Sequence, residues 1–390
     1  MFVVQTLNKI AQEGLSMLPK DQYEIADECL APDAVLVRSA KMHDMVLPES
    51  LKAIARAGAG VNNIPIDKCS EQGVVVFNTP GANANAVKEL VLTGLMLASR
   101  DIAGGIGWVR GQSADNGLAK TIEKNKSNYG GIEIAGKTLG VVGLGAIGVM
   151  VANAALDLGM SVVGFDPYIS VQSAWGLNRN VARAENLDKL LAQSDFISLH
   201  IPLMDDTVGY IGEDAFNKMS GCVRLLNFAR GELVDNAALQ AALDSGKCVR
   251  YVTDFPGCLT QDLLTHESVI PIPHLGASTE GSELNCATMA VAQLREFLEN
   301  GNIVNSVNFP ECGMARTAAK RLIAANRNVP KIVGQITSVL AEYGLNIADM
   351  MNKSRGEYAY TIVDIDGDIP GAVVERIMAI PDVLMARVIR

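Results

Sequence analysis

Short apolar runs alternate with longer stretches of helical spacing over most of the chain. Phe2-Val-Val, Ala34-Val-Leu-Val and Val74-Val-Val-Phe read as buried strands in the first ninety residues. Pro48 to Ala57 is predicted as a helix with a proline in its first turn. Val87 to Ser99 reads as one long helix. Residues 100–130 are glycine-rich and polar, and are expected to form an arm or irregular connection. The alternation then resumes. Strands are predicted at Thr138–Val142, Val162–Phe165, Phe196–His200, Val223–Phe228, Tyr251–Asp254 and Val269–Ile272. Helices are predicted from Val149 to Leu158 and from an Asp235 cap to about Leu243, where Gly246 ends the second. This is the pattern of an α/β chain.

The last part of the chain has a different rhythm. Glu283 to Glu299 is an amphipathic helix, and Gly301 to Pro310 reads as a linker. Beyond Arg316 the order is strand, helix, two strands, helix and strand: Arg321–Ala325, Pro330–Tyr343, Asn346–Met350, Tyr358–Asp364, Val373–Ala379 and Val383–Ile389. That order in about seventy residues is a ferredoxin-like βαββαβ module.

The strand at Thr138–Val142 runs into Gly143-Leu-Gly145-Ala146-Ile147-Gly148, and the next predicted strand ends on Asp166. Glycines there let the backbone approach a pyrophosphate, whose charge sits on amides at a helix N-terminus. Asp166 follows Gly145 at close to the ~20 residues expected of the acid that accepts hydrogen bonds from a ribose. Strand, loop, helix and acid together define a dinucleotide site, and the acid favours NAD because it would repel a 2′-phosphate.

Composition narrows the class. The chain has 390 residues, so two or three domains are expected, and 49% hydrophobic residues are ample for buried cores. A formal net charge of −10 argues against nucleic-acid or anionic-membrane partners. The N-terminus does not read as a signal peptide, and the most apolar helix candidate, Leu90 to Ala98, is far short of a membrane span. Seven scattered cysteines without CxxC suit free thiols in a reducing cytoplasm, and four histidines give little material for a metal site, so none is expected.

Polar residues at strand ends are the candidates for chemistry, since ligands of open α/β sheets sit beyond the carboxyl ends of strands. Arg38 and Arg56 are placed either to hold an anion or to lie solvated on the surface. Arg230, Asp254 and His274 follow three of the later strands. His274, between two prolines and a glycine turn, reads alone either as a structural residue or as an acid/base.

The segments Val37-Arg-Ser39, Arg56-Ala-Gly-Ala-Gly-Val61, Gly143–Gly148, Asn227-Phe-Ala-Arg-Gly-Glu-Leu-Val-Asp235 and Pro273-His-Leu-Gly-Ala-Ser278 carry a resemblance over nearly the whole chain. The sequence resembles the D-isomer-specific 2-hydroxyacid dehydrogenases, and its tail is similar to an ACT domain. The resemblance implies a flavodoxin-like substrate domain (1–90 and 275–305) interrupted by a Rossmann NAD domain (91–274), a linker (306–317) and an ACT domain (318–390). It implies that Arg230 binds the substrate carboxylate and that His274 exchanges a proton with the substrate hydroxyl. Asp254 would lie near the nicotinamide carboxamide. Phe228, Ala229, Arg230, His274, Gly276 and Ala277 would line the cofactor. Arg38, Ser39, Arg56 and Gly60 would form the substrate pocket, with Lys126 reaching a neighbouring subunit's site. It further implies oxidation of 3-phospho-D-glycerate, the first step of serine synthesis, in a homodimer or homotetramer. A glyoxylate or hydroxypyruvate reductase, and a catalytically silent NAD-sensing partner protein, are the alternatives.

Three positions depart from the family pattern. The Glu that usually orients the histidine is replaced by Leu259 in a shortened stretch, so either Asp262 substitutes as the partner of His274 or the histidine has no carboxylate partner. Ala59 stands where a Thr is common, and Lys331 where the ACT pattern has Gly. In the tail, Asn326, Asn328 and Asn346 are either ordinary turn and cap residues or the amides of an L-serine site, with Asn328 and Asn346 expected to come together.

Overall fold

A computed structural model describes residues 1–318 and 320–389. It divides into two compact units, Met1–Asn83 with Glu280–Arg390, and Ala84–Thr279.

The first unit opens with five parallel strands: β1 (Phe2–Thr6), β2 (Tyr23–Ala26), β3 (Ala34–Val37), β4 (Ala53–Arg56) and β5 (Val75–Phe77). Their order is β2-β1-β3-β4-β5, the flavodoxin arrangement. The stretch predicted as a helix from Pro48 to Ala57 holds no helix, and its second half is β4. Alanine favours helix in isolation, but Ala53, Ile54 and Ala55 lie fully buried between β3 and β5, and ladder pairing and burial on both faces outweigh that preference.

The same unit holds the ferredoxin-like tail: β13 (Lys320–Arg327), β14 (Asn346–Arg355), β15 (Tyr358–Asp366) and β16 (Val383–Ile389), antiparallel in the order β14-β15-β13-β16. One sheet face packs on the tail's own helices through Leu322, Ala324, Val363 and Ile365. The other, with Ile323, Ala325, Tyr360, Ile362 and Ile389, shares a core with Phe77 and the long helix Glu280–Asn300. The connection that reads as a linker is fastened to β5. Asn308 Oδ1 accepts from Val76 N at 2.9 Å, and its amide donates to Val74 O and Ser70 Oγ.

The second unit is a seven-stranded parallel sheet: β6 (Thr138–Val142), β7 (Ser161–Phe165), β8 (Ala182–Arg183), β9 (Phe196–Leu199), β10 (Val223–Asn227), β11 (Cys248–Thr253) and β12 (Val269–Pro271). The order β12-β11-β10-β9-β6-β7-β8 reverses at β6, the Rossmann switch point. Residues 100–130 are helical rather than irregular. Helices span Ile102–Arg110 and Leu118–Asn125. Asp101 caps the first by accepting from Gly104 N at 3.1 Å, and Trp108 packs on Tyr129, which offsets the weak helix propensity of three glycines. Among the described residues no helix is long and apolar enough to cross a membrane.

Candidate active site

The glycine loop lies between β6 and a helix that starts at Ala146, three residues before the predicted Val149. Gly143 has φ +92°, and a Cβ there would meet His200 O at 2.7 Å. A Cβ on Gly148 would sit 2.0 Å from Gly143 O, so both glycines are required by close backbone contact. Gly145 faces open space, and no side chain caps the helix Ala146–Asp157, which leaves its first amides (Ala146, Ile147) for an anion. Asp166 closes the loop: its carboxylate accepts from Leu144 N and Tyr168 N, each at 2.8 Å. Each oxygen keeps acceptor capacity for a ribose hydroxyl. The sequence reading missed His200, which follows β9 beside Gly143. Burial pushes its imidazole down to about 4, so it is neutral near pH 7, and Nε2 lies 2.9 Å from Ser198 Oγ. Its place at a strand's carboxyl end was the available signal.

Asn227, at the end of β10, is fully buried and braces the turn that follows. Its amide donates to Arg230 O at 2.8 Å and to Tyr251 Oη at 3.2 Å, and its Oδ1 accepts from Ala229 N at 3.2 Å. Phe228 is buried under this turn against Gly94, where a Cβ would come within 2.8 Å of the ring. Arg230 is exposed and donates from Nη1 to Ala229 O at 2.6 Å.

Asp254, just past β11, is 1% exposed. Its Oδ2 accepts from Gly276 N at 3.2 Å, while Oδ1 has no partner among the described residues. Burial raises its carboxyl above the usual range, with His274, the Gly276 amide and Arg230 pulling the other way. A buried acceptor without a donor is costly, and a carboxamide N–H of a bound nicotinamide would satisfy it. Ala277 follows Gly276, half-buried.

His274 is exposed and rests on Phe255, ring centroids 4.8 Å apart. Asp262 is not its partner: among the described residues no hydrogen bond or ion pair joins them. Asp262 is exposed in the first turn of the helix Gln261–Thr265, where Thr260 caps Leu263 N and an acid suits the helix terminus. Leu259 packs into the apolar cluster under β11. The His274 imidazole acts on Asp254, opposing the burial that raises its carboxyl.

In the first unit, Asn8 Oδ1 accepts from the backbone amides of Arg38, Ser39 and Ala40 at 3.1, 2.9 and 2.8 Å, fixing the turn after β3. Val37 and Arg56 are register partners, and Arg56 Nε donates to Arg38 O at 3.0 Å, so the two arginines are neighbours. A Cβ on Gly58 would meet the Arg56 guanidinium at 2.6 Å. Gly60 is half-buried in the same loop and Ser39 is exposed. Asn8 was not legible as a site residue, because its role is to organise backbone 30 residues away. Lys126 is exposed and pairs with Glu123.

The tail asparagines do not come together within one chain. Asn328 donates to Gly356 O at the β14–β15 hairpin, whereas Asn346 pairs with Asp366 at the opposite end of that ladder. At ~3.3 Å per residue the length of β14 puts them ~30 Å apart. The helix after β13 returns the chain to the start of β14, which runs parallel to β13. Asn326 is buried and donates to Arg327 O, and among the described residues its Oδ1 has no partner.

A doubly wound parallel sheet with a glycine loop, a ribose acid and a buried carboxylate near an exposed Arg and His defines a nicotinamide-dinucleotide-dependent class of protein. The D-isomer specific 2-hydroxyacid dehydrogenase, NAD binding domain, matches residues 93–276. The chain is 30% identical to the D-3-phosphoglycerate dehydrogenase of Escherichia coli over 87% of its own length and 82% of the relative's. It belongs to the D-isomer specific 2-hydroxyacid dehydrogenase family. A D-3-phosphoglycerate dehydrogenase of Bacillus subtilis is 33% identical over 88% of the chain, which spans 64% of that relative. The NAD+-bound 3-phosphoglycerate dehydrogenase of Entamoeba histolytica superposes with a TM-score of 0.60 at 25% identity, covering 79% of this chain and 98% of that one.

Proposed function

We propose that the chain oxidises 3-phospho-D-glycerate to 3-phosphooxypyruvate with NAD, the first step of serine biosynthesis. The observation that carries this reading is the adjacency of Arg38 and Arg56 at the carboxyl ends of β3 and β4. They supply cationic groups additional to Arg230, which a substrate with both a carboxylate and a phosphate needs. An unphosphorylated glyoxylate or hydroxypyruvate does not need them, and the similarity to phosphoglycerate dehydrogenases supports the same choice.

Bound NAD, held by the Gly143–Gly148 loop, Asp166 and Asp254, would supply the acceptor for the hydride that leaves substrate C2. Arg230 pairs the substrate carboxylate bidentately and polarises the adjacent carbon. His274 takes the hydroxyl proton on a ring nitrogen as the C–H bond gives up its hydride, and the C–O bond becomes the ketone. Arg38 and Arg56 hold the phosphate. Each Arg→Ala change at these two positions is expected to raise KM for 3-phosphoglycerate by roughly ten- to a hundredfold, from ~1.5–3 kcal/mol per charge-assisted bond, with KM for NAD unchanged. Steady-state kinetics with unchanged KM in both variants would make them surface arginines.

We place the protein in the cytoplasm, supported by its seven free cysteines, and as a homodimer or homotetramer. With Asn328 and Asn346 at opposite ends of one module, an L-serine effector site at these residues requires two copies side by side. Calorimetry should then show serine binding that Asn346→Ala weakens. The absence of any heat at millimolar serine would remove the effector reading.

A further inference from the structure

We propose that Glu283 is a positioning residue that serves as an internal counter-anion for Arg38, holding its guanidinium beyond β3 and competing for it with the anionic end of the substrate. This rests on reading Arg38 and Arg56 as the phosphate clamp. Glu283 Oε1 lies 2.7 Å from Arg38 Nη2, and both side chains remain accessible, at 38% and 44% exposure.

The pair is set by backbone on both sides. The Arg38 amide is tied to Asn8 Oδ1 and its carbonyl to Arg56. Glu283 lies in the first turn of the helix Glu280–Asn300, and that helix is held at both ends. Near its start Ala287 presses on Gly14, where a Cβ would meet it at 2.8 Å. At its far end the tail sheet holds the terminal carbonyls. Arg387 donates to Phe297 O and Leu298 O, Arg321 donates to Asn300 O at 2.8 Å, and Tyr360 Oη donates to Gly301 O at 2.7 Å. The carboxylate is therefore presented to Arg38 by a fastened element.

A guanidinium grips a phosphate through a planar fork of donors. Glu283 occupies part of that fork on Arg38, and its charge opposes an incoming dianion. Its two effects differ in sign: the hydrogen bond orients Arg38, and the charge competes. Glu283→Gln keeps an acceptor oxygen for Arg38 and removes only the charge. Glu283→Ala removes both.

The test is a kinetic comparison of wild type, Glu283→Gln, Glu283→Ala and Arg38→Ala in the full chain, with inorganic phosphate as a competing probe. Glu283→Gln is expected to lower KM for 3-phosphoglycerate and Ki for phosphate by about three- to fivefold, the scale of a half-exposed ion pair, with kcat and KM for NAD unchanged. Glu283→Ala should give a KM above that of Glu283→Gln, because Arg38 loses its holder. If Arg38→Ala leaves KM for 3-phosphoglycerate unchanged, Arg38 is no part of the clamp and the role of Glu283 falls with it. If Arg38→Ala raises KM while Glu283→Gln leaves KM and the phosphate Ki at wild type, the clamp stands and the role of Glu283 is refuted.

Discussion

Replacing His274 with alanine is expected to lower kcat by about 10²–10⁴-fold, the contribution of a positioned acid/base, while NAD binds nearly as tightly as before. The ring is exposed, and among the described residues its contact is the Phe255 face, so its loss strands no buried donor or acceptor. Thermal stability should accordingly change little. His274 acts on the Asp254 carboxyl, and among the described residues no hydrogen bond or ion pair joins it to Asp262. Asp262→Asn should therefore leave kcat within about twofold of wild type, as expected of a surface change. Turnover, a fluorescence titration with NAD and a melting curve on the two variants decide this. A His274→Ala enzyme at near-normal kcat would remove the histidine from the chemistry. An Asp262→Asn enzyme as slow as His274→Ala would show a partnership absent from this conformation.

The parts legible in the sequence were those governed by local rules. Gly143 and Gly148 were readable because a glycine between a strand and a helix has few other reasons to be there, and the contacts at 2.7 and 2.0 Å are those reasons. The Asp235 cap was readable from one side chain and one amide, and it accepts from Ala238 N at 2.7 Å. What failed depended on distant partners. Ala53–Ala55 looks helical until β3 and β5 flank it. Asp262 stood in sequence where a carboxylate partner was wanted, but the capped turn at Thr260 fixes it elsewhere. Asn328 and Asn346 are close in sequence, yet the antiparallel ladder separates them. Asn8 and Glu283 could not be found from spacing at all, since each acts on the Arg38 turn from a remote segment.

Arg321→Met is expected to destabilise the first unit by ~3–5 kcal/mol, because removing one member of a buried pair leaves the other charge uncompensated. Arg321 and Asp364 are fully buried and doubly bonded, at 2.6 and 3.0 Å. Arg321 also donates to Asn300 O and Met314 O, and Asp364 accepts from Thr317 N and Oγ1, so the pair joins the helix end, the connection and the tail sheet. Burial alone would raise the Asp364 carboxyl, but Arg321 and Thr317 outweigh it and hold it below the usual carboxylate range. The sign of the pH dependence follows. A carboxyl lowered in the folded state contributes stability that is fully present above its unfolded value of about 3.9 and is lost as pH falls through the folded value. Wild type should thus lose stability as acid is added below about pH 4, and Asp364→Asn should be weaker near neutrality with a flatter acid limb. The double variant Arg321→Met, Asp364→Leu should recover part of the single-variant loss, since no charge is left buried. Urea denaturation of the four proteins at neutral pH and at pH 3 measures all three effects. Single variants within about 1 kcal/mol of wild type, or an Asp364→Asn acid limb as steep as wild type's, would show that this pair does not fasten the tail to the helix.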